Sequence, residues 1–194
     1  MNQDLFEIVC ILDRSGSMSG LESDTIGGFN GFIKKQAELG QTSLTTVLFD
    51  DRYEILHNGV DAREVTLTRK EYFTRGMTAL LDAIGKTIND VGMRLSNTPE
   101  AMRPNKVIVV IITDGLENAS QEFSYEQVKK MIAHQTEKYA WEFIFLGANI
   151  DVAKEGRKLG IKAGQTESFC ASSAGIGEMY KIVGKRVLAF RPKK

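Results

Sequence analysis

Asp13-Arg14-Ser15-Gly16-Ser17 sets one carboxylate and two hydroxyls within a few residues, directly after the apolar run Ile8-Val9-Cys10-Ile11-Leu12. A second carboxylate, Asp114 in Thr113-Asp114-Gly115, follows the most hydrophobic stretch of the chain, Val107 to Ile112. A third hydroxyl, Thr78 in Gly76-Met77-Thr78, stands just before a strongly periodic segment. Two carboxylates drawn together without a basic partner repel one another and raise a carboxyl pKa, unless a cation lies between them. Oxygen donors without His or Cys suit a hard ion. Few carboxylates and several waters suit octahedral Mg²⁺ better than the higher coordination of Ca²⁺, with Mn²⁺ as a substitute and Ca²⁺ as a further possibility. An ion held by so few anionic ligands keeps an exchangeable position that an outside carboxylate can fill. The alternative is that Arg14 or Arg75 pairs with the aspartates and makes an ion-pair network instead.

These residues can meet only if the chain brings three loops to one place, and the element pattern does this. Leu5 to Leu12 is almost continuously apolar, broken only by Glu7, as expected of a central parallel strand covered on both faces. Ser19-Gly20-Leu21-Glu22 has the form of a capping box and predicts a helix to about Leu39. The cluster Gly27, Gly28 and Gly31 within it predicts close packing of that face against the sheet. Thr42 to Phe49 and Tyr53 to His57 are β-rich runs joined by a link too short for a parallel crossover, so they form an antiparallel hairpin at a sheet edge. Residues 60 to 77 are polar and weakly periodic, a loop with one helical turn.

From Thr78 onward, Leu81, Ile84, Ile88, Val91 and Leu95 recur at spacings of three and four and mark one face of a helix. Pro99 and Pro104 separate it from the strand Lys106 to Thr113. Ser124 to Gln127 is a second capping box, opening a helix to Tyr139, and Trp141 to Leu146 is a strand. Asp151 to Leu159 reads as a short helix, Thr166 to Cys170 as a last strand, and Ser172 to about Leu188 as a last helix. Strand and helix alternate throughout, apart from the hairpin. The fold class is therefore α/β: a three-layer α/β/α, doubly wound, mainly parallel six-stranded sheet with one antiparallel edge strand, of Rossmann-like type. In such sheets ligands bind beyond the carboxyl ends of the strands, where strand order reverses. Residues 1–190 are read as one domain and 191–194 as a C-terminal tail.

Composition narrows the function. With 25 Lys+Arg against 25 Asp+Glu the net charge is zero, and basic residues are scattered, so the chain lacks the electrostatic footprint of a nucleic-acid binder. No apolar run approaches the roughly 20 residues of a membrane helix. The N-terminus enters its first strand without a leader, and Cys10 and Cys170, both placed in apolar strands, suit buried thiols in a reducing compartment; both features point to the cytoplasm.

At Asp13-Arg14-Ser15-Gly16-Ser17, Thr78 and Asp114 the chain resembles the von Willebrand factor A domain family, whose metal-ion-dependent adhesion site combines a D-x-S-x-S loop, a Thr from a second loop and an Asp from a third. The resemblance extends over the element order of nearly the whole chain. It implies that the first and fourth strands are central and that their loops hold a metal ion. Ser15 and Ser17 would ligate directly and Thr78 directly or through water, while Asp13 and Asp114 would act largely through waters or by orienting the serines. The remaining position would take Asp or Glu from a partner protein. Met77 stands where many relatives carry Gly. The absence of a secretion signal and of an attached domain is similar to stand-alone intracellular bacterial members.

The expected function is thus divalent-metal-dependent capture of an acidic side chain of another protein, a second copy of the chain included, without enzymatic turnover. Two readings of other classes stand beside it. One is a metal-dependent phosphatase or hydrolase using the same residues; the other is a structural assembly subunit with no role for a metal. His57, on the hairpin, and His134, on a helix, do not follow strands at the ligand edge, so the serines lack the usual general base. Gly16-Ser17-Met18-Ser19-Gly20 centres on Met and is no nucleophile elbow, and no phosphate-binding glycine loop occurs. Glu117 reads as an exposed loop residue.

Overall fold

The computed structural model describes residues 1–191; the last three residues of the expected tail, 192–194, lie outside the described residues. Eleven main elements alternate along the chain: β1 (Asn2–Asp13), α1 (Glu22–Leu39), β2 (Thr42–Phe49), β3 (Tyr53–Asp61), α2 (Leu80–Asn97), β4 (Pro104–Thr113), α3 (Tyr125–Tyr139), β5 (Glu142–Gly147), α4 (Val152–Leu159), β6 (Thr166–Ser168) and α5 (Ser173–Ala189). They build one six-stranded sheet in the order β3-β2-β1-β4-β5-β6. All neighbouring pairs are parallel except β2 and β3. The edge hairpin and the central pair β1 and β4 are thus as the sequence predicts.

Alternation along β1 divides the core. Phe6, Ile8, Cys10 and Leu12 pack with α1 and α5, whereas Val9 and Ile11 pack with α2, α3 and α4. On α2 the predicted stripe is buried at Leu81, Ile84, Ile88 and Val91, with Leu95 partly so. Glu7, the one charge in β1, is fully buried and accepts hydrogen bonds from the Thr45 hydroxyl and the Arg94 guanidinium. Gly59 has φ of +68°, and a Cβ there would lie 2.7 Å from an Arg94 nitrogen, so glycine admits the guanidinium that neutralises Glu7.

Several local expectations change. The first capping box does not form: α1 is capped at Leu21 without a side-chain bond, and the Glu22 carboxylate instead accepts from the Gly20 amide at 2.8 Å. The second one, Ser124 with Gln127, forms in full. Of the α1 glycines only Gly28 is needed for packing, and against a helix rather than the sheet, because a Cβ there would lie 2.3 Å from the ring of Tyr180 on α5. The last strand stops at Ser168, leaving Cys170 outside it and exposed, unlike buried Cys10. Arg191 folds back, stacking over Phe6 and donating to Thr42 Oγ1 at 2.7 Å. Among the described residues no helix is long and apolar enough to cross a membrane.

Candidate metal centre

Strand order reverses between β1 and β4, since β1 leads by way of α1 to β2 on one side while β4 adds on the other. The crevice beyond their carboxyl ends receives Asp13 and Asp114. Asp13 closes β1 and ties the two strands together. Its Oδ2 accepts from the Thr113 hydroxyl at 2.6 Å, its Oδ1 from the Ser15 amide at 2.7 Å, and its carbonyl from the buried Tyr72 hydroxyl at 2.6 Å. Ser15 Oγ and Ser17 Oγ are 3.0 Å apart, and Ser17 Oγ donates to Asp114 Oδ1 at 2.5 Å. One chain of hydrogen bonds therefore runs from Thr113 through Asp13 and the serines to Asp114. Asp13, Ser15, Thr78 and Asp114 are buried; Ser17 opens to solvent.

Thr78 enters from the second loop. Its amide donates to Asn118 Oδ1 at 2.9 Å and its carbonyl accepts from the Asn118 amide at 3.0 Å, which clasps the second loop to the third. A Cβ on Gly115 would sit 3.3 Å from Thr78 Oγ1 and 3.5 Å from Ser17 Oγ. Both hydroxyls thus flank the same glycine, and a side chain there would press between them. All five residues singled out from the sequence are brought to this crevice.

The loops are held by groups outside the cluster. Gly16 N donates to Gly76 O at 3.2 Å, and Arg75 N to Arg14 O at 2.9 Å. Gly76 has φ of +65°, and its Cα faces Asp51 so closely that a Cβ would lie 2.0 Å from the carboxylate. On the third loop Glu117 is not a free surface residue. It accepts from the Leu81, Ala119 and Ser120 amides, capping the start of α2 and its own loop. Asp82 in the first turn of α2 accepts the Gln121, Glu122 and Phe123 amides. Sequence reading missed Asn118, Tyr72, Thr113 and Asp82 in these roles. Only Thr113, adjacent to Asp114, carried a signal.

The electrostatics speak against the ion-pair network. Arg14 turns away from the aspartates and is almost wholly buried, with Nε donating to Asp50 at 2.9 Å, one terminal nitrogen to Glu54 at 2.7 Å and the other to the Glu71 carbonyl at 3.2 Å. Arg75 also binds Asp50, at 2.7 Å. Among the described residues no basic side chain pairs with Asp13 or Asp114. Burial pushes the Asp13 carboxyl up to about 6; hydrogen bonds from Thr113 and Ser15 oppose this only in part, and Asp114 adds repulsion. Burial likewise raises Asp114. Its Oδ2 is buried with no hydrogen-bond partner, a costly state for a carboxylate oxygen.

The donor set fits a hard divalent cation. It comprises oxygen atoms only, with two uncompensated carboxylates and three hydroxyls, of which Ser17 gives its proton to Asp114 while keeping lone pairs for a metal. Among the described residues no three His, Cys, Asp or Glu side chains gather into a centre of the zinc or calcium kind. Neither histidine hydrogen-bonds to the cluster; His57 lies on β3 and His134 on α3.

No protein-family profile matches the chain, and no curated protein sequence does. Solved structures do match. The vWF domain of the type V pili tip protein Mfa5 from Porphyromonas gingivalis is similar with a TM-score of 0.74 at 10% identity, over 100% of this chain and 98% of that one. The PilB minor pilin from Streptococcus sanguinis is similar with a TM-score of 0.71 at 13% identity, over 99% of this chain, which spans only 63% of the pilin's length. Manganese-loaded TRAP protein from Plasmodium vivax is similar with a TM-score of 0.62 at 18% identity, over 93% of this chain and 74% of that one. Together with the sheet order and the crevice between β1 and β4, these likenesses give the chain the fold of a von Willebrand factor A domain.

Proposed function

We propose that the chain is a binding module that holds Mg²⁺ between the β1, β4 and second-loop residues and uses it to capture an Asp or Glu side chain of a partner protein. The carrying observation is the pair Asp13 and Asp114, buried at the crevice without a basic partner, with Asp114 Oδ2 left unbonded. Ser15, Ser17 and Thr78 would supply hydroxyl oxygens, and Asp13 and Asp114 the negative charge. Mn²⁺ would substitute, and Ca²⁺ would bind less well in so small a donor set. A bound ion supplies a Lewis-acidic position that a carboxylate can fill. The likeness in fold to a pilus tip domain and to a manganese-loaded protein supports this reading. So does the absence, among the described residues, of any histidine bonded to the serines, which favours binding over hydrolysis.

Calorimetric titration of Mg²⁺ and Mn²⁺ into metal-free protein, beside the Ser15→Ala, Ser17→Ala double variant, tests it. Saturable binding by the wild type that disappears in the variant is expected. A wild type that binds neither ion at millimolar concentration overturns the reading.

A further inference from the structure

Exposed large hydrophobic side chains are concentrated at the two ends of the sheet. Phe73, Met77 and Leu116 are 43%, 56% and 55% exposed, and all lie on the loops around the metal centre. Met1, Met93, Met102 and Tyr139 are 58%, 64%, 64% and 55% exposed and lie at the opposite end, where β1, β4 and β5 begin and α2 and α3 finish. Because β1, β4 and β5 run parallel, these ends are separated by the length of a strand, about 30 Å for ten residues. A groove of about 430 Å³ opens at the far end, lined by Met1, Met93, Glu100, His134, Tyr139 and Trp141 among others.

Glu100 starts the short turn Glu100–Met102 at the edge of that groove and is exposed. Among the described residues its carboxylate has neither a hydrogen bond nor an ion pair. Nearby Arg103 does not neutralise it, because that guanidinium is spent on the Thr98 carbonyl at 2.8 Å and the Ser96 carbonyl at 3.0 Å. The two ends are therefore complementary. One carries the residues of the proposed cation site inside an apolar rim; the other offers an unpaired carboxylate beside an apolar groove.

We infer that the acidic ligand is Glu100 of a second copy of this chain, which docks head to tail with its Met93, Met102 and Tyr139 against Phe73, Met77 and Leu116 of the first. The inference rests on the proposed metal centre. The two surfaces differ, so the contact is heterologous and each added copy leaves a fresh surface at either end, giving filaments or a closed ring rather than a two-fold dimer. Methionines, which adapt their shape at low cost, suit such a surface.

Sedimentation of the full chain with Mg²⁺ and with chelator tests this, with Mg²⁺ calorimetry on the same sample. The expected result is association in Mg²⁺ that disappears in chelator and in Glu100→Ala, and that persists in Glu38→Ala, an exposed acid beside Leu39 on α1. Glu100→Ala keeps an intact metal end and the Ser15→Ala, Ser17→Ala variant keeps an intact Glu100 end. Mixed in Mg²⁺, they should form a one-to-one pair that grows no further, although each alone stays monomeric. A wild type that binds Mg²⁺ yet remains monomeric up to about 1 mM protein, where a contact of that Kd would already be about two-fifths formed, overturns the head-to-tail inference and leaves the metal centre standing. Loss of Mg²⁺ binding in the wild type overturns both, and association that survives Glu100→Ala overturns the inference alone.

Discussion

Arg14 Nε donates to Asp50 Oδ2 at 2.9 Å, in a setting where both side chains are almost fully buried. Arg14 belongs to the D-x-S-x-S loop, and Asp50 begins the β2–β3 turn. The Asp50 carbonyl also accepts the Ala79 amide at 2.9 Å, next to Thr78. One ion pair thus joins the first loop, the second loop and the edge hairpin. Asp50→Ala would leave the buried Arg14 charge to Glu54 alone, a loss that stays below the cost of a wholly uncompensated buried charge, about 3–5 kcal/mol. Urea unfolding should show that loss. Burial alone would raise the Asp50 carboxyl, but bonds from Arg75, the Arg52 amide and Arg14 more than offset it and hold it below the usual range. A carboxyl depressed in the folded state contributes stability that is present above its unfolded pKa, about 3.9, and is lost as pH falls further. The wild type should therefore lose its margin over Asp50→Asn as pH drops below about 4; a margin that stays constant from neutral pH to pH about 3 would contradict the pairing.

Adjacent glycines on α1 should respond with opposite sign. Gly27 is exposed, with nothing within 4 Å of a built Cβ, whereas a Cβ on Gly28 would lie 2.3 Å from the buried Tyr180 ring. Gly27→Ala gains helix propensity, about 0.5–1 kcal/mol of stability. Gly28→Ala forces α1 and α5 apart or moves the ring, costing about 1–3 kcal/mol. Thermal melting of the two variants side by side checks this, and equal shifts would mean that the α1–α5 contact is looser than described.

How far the residues announced this arrangement depends on the range of the interaction. The strands and the α2 stripe follow from periodicity, which is local, and the crevice follows from topology once β1 and β4 are central. Asp13, Ser15, Ser17, Thr78 and Asp114 could be read as one cluster because the loops after β1 and β4 and before α2 carry oxygen donors in order. The supports could not. Asn118 clasping Thr78, Tyr72 reaching the Asp13 carbonyl and Asp82 holding three amides are bonds across 39 residues or more. Nothing local distinguishes such side chains from other loop polar groups. The failed cap at Ser19 has the same origin: Ser19 closes the turn Gly16–Met18 that shapes the site, so its backbone is committed before α1 begins. Cys170 was misplaced because the run Ser168-Phe169-Cys170 looks extended, while its carbonyl instead turns back to accept the Ser172 amide ahead of α5.

Gly76 should accept a side chain only at a cost to its loop. Its φ of +65° and the Asp51 carboxylate oxygen 2.0 Å from a built Cβ act together. Gly76→Ala strains the backbone by about 1 kcal/mol or more and displaces Asp51, shifting the loop that carries Thr78. The expected result is a modest fall in melting temperature with a larger fall in Mg²⁺ affinity, read by calorimetry. An unchanged affinity would mean that Thr78 is positioned by Asn118 alone.

Asp114→Asn separates the charge from the shape of its side chain. An asparagine oxygen can still accept from Ser17, as Asp114 Oδ1 does at 2.5 Å, while the buried negative charge and its unbonded Oδ2 are removed. In chelator the variant should be at least as stable as the wild type, because an uncompensated buried carboxylate opposes folding. With Mg²⁺ the order should reverse. A ligand that binds only the folded state adds RT ln(1 + [L]/Kd), about 2.7 kcal/mol at a hundredfold excess over Kd, and the variant forfeits this. Melting curves of both proteins across a Mg²⁺ series would show the wild type climbing with the logarithm of concentration and the variant staying flat. A wild type that is already the more stable in chelator and gains nothing from Mg²⁺ would mean that Asp114 serves the fold through Ser17 and not a cation.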